Sequence, residues 1–218
     1  LDVLRKRIET TRNEGANGSS LQSKKKTILV APSWGEKGFL TKFGKSLIDQ
    51  LLTRDVKIIV RPHPQSLVAE KEFIEQMRQN YADRPNVEWD FASDGRESMR
   101  SADVMISDFS GIIFDYIFLF SRPVLVANFA VDPRKYDMAS LSSRKSTLMS
   151  CIQQGRIGLV FEEGDVASIH ELIDRATEKG DMSAGIREIA SRVYCHPGEA
   201  GKRGAAFLEK LHNECNGG

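Results

Sequence analysis

The stretch Ser101–Phe120, SADVMISDFSGIIFDYIFLF, decides the fold. Ala102, Val104, Met105 and Ile106 form a short apolar run that reads as a buried strand. Ser107, Asp108, Phe109, Ser110 and Gly111 interrupt it. From Ile112 onward the residues are long, apolar and helix-compatible for about two to three turns. The local order is therefore strand, polar turn, buried helix. Ser110 is a suitable N-cap, and Gly111 lets another group approach the backbone closely. A helix start carries unpaired N–H groups and a partial positive charge, so this turn suits an anion, above all a phosphate.

Outward from this stretch, strands alternate with helices. Thr27–Ala31, Val56–Val60, Val87–Trp89, Pro123–Ala127 and Gly158–Phe161 read as strands. Helical patterns cover Phe39–Leu52, Leu67–Asn80, Asp94–Arg100, Lys145–Gln153, Asp165–Lys179, Ser183–Val193 and Glu199–Leu211, with Ser66 as a cap for the second. The strands are apolar without period-two alternation, which predicts an α/β fold with a parallel sheet covered on both faces. Ligands of such sheets bind off the carboxyl ends of the strands. Ser33–Trp34–Gly35, Arg61–His63 and Ser107–Gly111 all fall at such ends, so three polar turns share one rim. Residues 1–23 read as a connector, a short helix followed by a Gly/Ser/Asn-rich linker, and 24–218 as the folded domain.

The formal net charge of +1 over 218 residues gives no global bias toward nucleic acid or membrane, so any anion site must be local. Basic residues interleaved with aromatics are absent, which argues against nucleic acid as a partner. No apolar run approaches the roughly 18 residues that span a bilayer. Cys151, Cys195 and Cys215 form no CxxC pair and no metal spacing with His63, His170, His196 or His212, consistent with reduced thiols. His170 and His212 read as solvated. The chain opens on Leu1 rather than Met, which suggests a preceding segment.

The residues of the rim each carry two readings. Ser110 and the following amides either hold a phosphate or form an ordinary strand-to-helix turn. Neither a dinucleotide nor a Walker-type glycine fingerprint is present. Asp108 beside a phosphate would repel it, so it orients the turn or meets a hydroxyl or a cation. Asp115 is the only acid in an apolar helix. It either takes a structural partner such as Arg122 or a backbone N–H, or contacts ligand hydroxyls. His63, fixed between two prolines, suits proton transfer or a hydrogen bond to phosphate, or is an ordinary loop histidine. Arg61 alternates to the other side of its strand. Gly198–Arg203 is either a solvated helix start or brings Arg203 or Lys202 to the ligand.

Taken together, TILVAPSW from Thr27, RPHP from Arg61, ADVMISDFSGIIFDY from Ala102 followed by SRPVLV, and GEAGKR from Gly198 resemble the C-terminal domain of the CDP-glycerol glycerophosphotransferases, the teichoic-acid-type polymerases and primases. The resemblance spans about Thr27 to Arg203. It implies the Rossmann-like C-terminal half of a GT-B fold, binding the CDP-activated donor, with an acceptor domain before Leu1. The family's paired serines fall on Ser110 and Gly111, so the second position keeps its amide and loses a hydroxyl. Its FD falls on Phe114–Asp115, its HP on His63–Pro64, and its closing motif on Gly198, Ala200 and Arg203. By this resemblance His63, Ser110 and Arg203 would surround the pyrophosphate, with His63 the catalytic residue and Gly111 and Arg61 further phosphate contacts. Ser33, Trp34, Asp108 and Asp115 would orient the turn or meet the donor. A base histidine credited to the family's N-terminal half has no counterpart here, so turnover by this chain alone is not expected.

The implied reaction is transfer of a polyol phosphate, glycerol phosphate first, from CDP-glycerol or another nucleotide-activated donor. The acceptor would be a polymer or lipid-linked hydroxyl in cell-envelope or capsule synthesis, in the cytoplasm at the inner face of the membrane. No divalent metal is required by the sequence, and Mg2+ stays compatible with it. A UDP-sugar glycosyltransferase, a UDP-N-acetylglucosamine 2-epimerase-like enzyme and a non-catalytic nucleotide-binding module share the fold and remain alternatives.

Overall fold

The computed structural model describes residues 25–35, 38–129, 156–178, 182–193, 196 and 198–216. The connector expected over 1–23 and the helix expected over 145–153 lie outside the described residues, as do Cys151 and Cys195. The strands are β1 (Thr27–Val30), β2 (Lys57–Val60), β3 (Val87–Trp89), β4 (Val104–Ser107), β5 (Val124–Ala127) and β6 (Gly158–Phe161). They form one sheet of order β3-β2-β1-β4-β5-β6, every pair parallel. This is the α/β architecture expected from the sequence. β1, β4 and β5 are buried at every residue, which is why they read as unbroken apolar runs.

The helices differ from expectation in informative ways. The single stripe over Phe39–Leu52 becomes a π-helical turn, Leu40–Gly44, running into α1 (Lys45–Leu51). The expected helix over Leu67–Asn80 is two, α2 (Ser66–Ala69) and α3 (Lys71–Asn80). Glu70 breaks it, at φ −127° and ψ 26°. Its carboxylate accepts from the Ser66 hydroxyl (2.7 Å) and the Gly35 amide (3.0 Å). Ser66 is thus a first-turn residue bound to Glu70 and not a cap. α4 (Arg96–Ser101) and α5 (Ile112–Phe120) flank β4 in the chain. A 3₁₀ turn, Glu163–Ser168, opens with a reciprocal Glu162–Asp165 capping box and leads into α6 (Ile169–Glu178).

These elements belong to one compact unit, within Leu21–Ile186; the described residues from Arg187 onward belong to a second. α7 (Met182–Val193) passes from the first into the second, which also holds α8 (Ala200–Asn216). No helix of the described residues is long and apolar enough to cross a membrane.

His170 is not solvated as expected. It is 6% exposed on α6, beside the buried Ile169 and Ile173, and its Nε2 lies 2.9 Å from the Gln50 carbonyl at the end of α1. Burial lowers its pKa. The unfolded chain, whose histidines titrate near ~6.5, therefore takes up a proton that the folded chain resists. Stability should fall as pH drops below that value. His63 has a pKa lowered by burial as well and contributes with the same sign. Denaturant unfolding across this range should show the loss, and His170→Gln, which retains a donor for Gln50, should flatten it.

Gly158 is fixed by packing. A methyl group there would run into the Val124 carbonyl of the neighbouring strand. Gly158→Ala should destabilise the fold by about 1–3 kcal/mol, the usual range for overpacking, read as a lower denaturation midpoint.

Candidate functional site

The sheet changes its direction of growth between β1 and β4, which is the switch point where open α/β sheets leave a crevice at their carboxyl ends. A cavity of about 250 Å³ lies there. Its walls are Ala31 and Pro32 after β1, Arg61 to Pro64 after β2, and Ser110, Gly111, Ile112 and Asp115 at the start of α5. Arg61–His63 and Ser110–Gly111 meet there; Ser33, Trp34 and Gly35 of the third turn are not part of its lining, and Ser33 reaches the site through Asp108. Two larger depressions, of about 610 and 510 Å³, run along the π-helical turn, α2 and α3 and contain none of the residues singled out from the sequence.

The turn after β4 is built on Asp108. Its side chain is fully buried and accepts three hydrogen bonds: from the Ser33 amide (2.9 Å), the Ser33 hydroxyl (2.5 Å) and the Ser110 amide (3.2 Å). The Ser107 hydroxyl adds a bond to the Ala31 carbonyl (2.6 Å). Burial raises the Asp108 pKa, while the hydrogen bonds from Ser33 and Ser110 lower it. Asp108 and Ser33 are therefore orienting groups, the first of the two roles given to Asp108 above. Phe109 on the same turn packs against Phe129 after β5, ring centroids 6.5 Å apart.

Gly111, not Ser110, occupies the N-cap of α5, and no side-chain cap bond closes the helix. The Ile113 amide donates to the Ser110 carbonyl and Phe114 to Gly111. The Gly111 and Ile112 amides and the Ser110 hydroxyl find no acceptor among the described residues. A Cβ built on Gly111 meets nothing within 4 Å, so the serine usual at this family position would fit. The expected cap is thus a donor left open toward the cavity.

His63 is half-buried, and its Nδ1 accepts the Gln65 amide (3.1 Å). That bond places the ring proton on Nε2. Burial lowers its pKa, and the Glu70 charge opposes this. Arg61 is 8% exposed, with its guanidinium committed to Asp90 (2.6 Å) and the Ala92 carbonyl (2.8 Å). Burial pushes Asp90 up, but hydrogen bonds from Ser98, Ala92 and Arg61 outweigh it and the pKa falls. Gly95 has no room for a side chain because the Arg61 Nε would lie 2.6 Å from it. Arg61 thus lines the cavity while its charge is already paired.

Asp115 is exposed and, among the described residues, takes neither structural partner considered for it. Arg122 instead donates to the carbonyls of Arg100 and Ala102, and the Tyr116 hydroxyl also donates to Ala102 (3.0 Å). Local loss of hydration raises the Asp115 pKa. Trp34 is half-buried on the loop whose Gly35 amide Glu70 holds. Glu70 was not singled out from the sequence. Its only signal there is an acid in the middle of a helical pattern. Arg203 is exposed on α8, in the second unit, and pairs with Glu199 (2.8 Å). Among the described residues no group of three or more His, Cys, Asp or Glu is arranged to hold a metal ion.

The Rossmann-like parallel sheet with a crevice at its switch point is the α/β fold shared with GT-B glycosyltransferases of known structure. The chain belongs to the CDP-glycerol:poly(glycerophosphate) glycerophosphotransferase family, which matches residues 1–149. That match includes every cavity residue and ends before Gly198–Arg203. No curated protein matches the chain. Among solved structures it is similar to HepE of Anabaena in complex with UDP-glucose, at 15% identity and TM-score 0.54, covering 88% of this chain and 49% of that one. A glycosyltransferase from Rickettsia africae follows at 14% identity and TM-score 0.53, covering 85% and 45%. TarM matches at 11% identity and TM-score 0.51, covering 92% and 37%. The chain thus spans half or less of the length of these structures.

Asp108→Ala should strand the Ser33 and Ser110 amides, at about 1–3 kcal/mol for each buried group left unpaired. Asp108→Asn keeps an acceptor and should lose much less. Urea midpoints of the two variants against the parent check this.

Proposed function

We propose that the cavity between β1, β2 and α5 binds the phosphates of a CDP-activated polyol, CDP-glycerol first, and that the protein transfers the polyol phosphate to an acceptor hydroxyl. One observation carries this reading: the Gly111 and Ile112 amides, the Ser110 hydroxyl and the His63 ring border a single cavity and find no acceptor among the described residues. The family match supplies the class of donor.

The chemistry follows from charge. An acceptor oxygen attacks the β-phosphorus of the donor, the bond from that phosphorus to the bridging oxygen breaks, and CMP leaves. Negative charge grows on the bridging oxygen and on the leaving phosphate. Donors already fixed in place stabilise it without reorganising. The α5 amides are held by the helix, and Ser110 by the Asp108 clamp. Neutral His63 offers Nε2–H as one more donor, because its Nδ1 is occupied by Gln65. Arg61 acts through Asp90 as a brace for the β2 loop and not as a direct phosphate ligand. The acceptor hydroxyl and the base that takes its proton belong to the part of the protein that these residues do not form.

Calorimetric titration with CDP, CDP-glycerol, UDP and UDP-N-acetylglucosamine, without metal and then with Mg2+, tests the reading. Cytidine ligands should bind more tightly, and Ser110→Ala and His63→Ala should each weaken them about tenfold, the loss of one hydrogen bond to a charged group. Gly111→Ser should fold normally and retain binding. Arg203→Ala tests the role that the resemblance gives Arg203. Preference for uridine ligands would move the assignment to a sugar transferase or epimerase.

A further inference from the structure

Glu70 is not part of the cavity's lining, yet one of its oxygens joins the two loops that lead to it. Oε2 accepts both from the Gly35 amide (3.0 Å) and from the Ser66 hydroxyl (2.7 Å). Gly35 turns the loop after β1 at φ 126°, a backbone that favours glycine. Ser66 closes the turn after β2. Its amide donates to the His63 carbonyl (2.9 Å), and the Gln65 amide before it donates to the His63 ring (3.1 Å). The Glu70 amide donates to the Ser66 carbonyl (2.9 Å), so acid and serine are tied through backbone and side chain alike. A chain of bonds thus runs from Gly35 through Glu70 and Ser66 to His63.

The joint interrupts a helix. α2 ends at Ala69 and α3 starts at Lys71, with Glu70 out of helical conformation between them. Sequences break a local preference chiefly at functional or strained sites. We infer that Glu70 is a positioning residue of the phosphate site, holding the His63 turn against the loop after β1 and setting its negative charge beside the imidazole. Arg61 and Asp115 are the other charged groups on the cavity that His63 lines, and Arg61 is paired with Asp90. The charge that acts on the His63 proton is that of Glu70, which raises the pKa against the larger lowering by burial. Without it the imidazole holds its proton less well, and the neutral form extends to lower pH.

The inference rests on the donor-binding reading above, and the experiment separates the two. Glu70→Gln, Glu70→Ala and Ser66→Ala are compared with the parent protein, with circular dichroism as the check on folding. Glutamine keeps a carbonyl oxygen for Gly35 and Ser66 and removes only the charge. Alanine at 70 removes the joint, and Ser66→Ala removes one arm with the charge kept. The His63 ring, identified by the resonance lost in His63→Ala, is titrated by NMR without ligand. Its midpoint should move to lower pH in Glu70→Gln. Calorimetry with CDP-glycerol then closes a double-mutant cycle. Glu70→Ala should weaken binding about tenfold, and His63→Ala should cost less in that background than in the parent. Should Glu70→Ala fail to fold, Ser66→Ala carries the same cycle. A His63 midpoint unmoved in Glu70→Gln, or a His63→Ala loss as large without the joint as with it, overturns the inference while the donor site stands. A folded parent that binds no CDP-glycerol overturns the donor reading and the inference with it.

Discussion

The hydrogen bonds into the buried Asp108 carboxylate are the constraint on which the rest of the site depends. A carboxylate with no exposed surface would ordinarily be costly to keep charged. Here two amides and a hydroxyl point at it, and all three come from the segments that must be held in register. Ser33 lies just past the end of β1, and Ser110 just before α5. One side chain therefore fixes the loop after β1 against the turn after β4, at the place where the sheet reverses its order. These two segments carry Ala31, Pro32 and Ser110 of the cavity's lining, so the tie between them sets that part of its rim.

A second tie works on the β2 side. Arg61 is nearly buried, and its fork spans Asp90 and the Ala92 carbonyl, beyond the end of β3. Breaking a buried pair by removing one partner is generally more destabilising than replacing both. Glu70 joins the loop after β1 to the start of α2 through Gly35 and Ser66. The charged groups nearest the cavity are thus spent on holding its rim. Among the described residues, two backbone amides, one hydroxyl, one imidazole N–H and one carboxylate on the cavity have no protein partner. A rigid frame with a few uncommitted donors is the arrangement that electrostatic stabilisation of a developing charge requires.

The fold was legible because its signals are carried by composition. A strand buried on both faces has to be apolar throughout, so β1, β4 and β5 announce themselves, as does the polar turn that follows β4. Side-chain commitments are not legible in this way. Arg61 and Asp115 are both lone charges beside apolar runs, and nothing in the sequence tells that one is paired while the other has no partner among the described residues. The pairing of Arg61 depends on Asp90, 29 residues away and beyond a neighbouring strand. His170 reads as a polar residue on a helix, and only the approach of α1 makes it buried. Ser110 has the chemistry of a cap, but Asp108 takes its amide and Gly111 occupies the cap position. Glu70 stops a helix that its own propensity would continue, because its carboxylate is drawn to Gly35 and Ser66.

The span of the Asp108 clamp bears on how the site comes into being. Ser33 and Asp108 are 75 residues apart, and β1 pairs with β4 over a similar distance. Local structure cannot form such contacts early, since a long stretch of chain must first be closed. The cavity therefore has no existence before the centre of the sheet is complete, and closing the sheet and making the site are a single cooperative event. The converse also holds. The loops joined by Asp108 hang from the two innermost strands, so fraying at an edge of the sheet does not release that clamp. Any ligand held there stabilises the central pairing of the sheet by mass action.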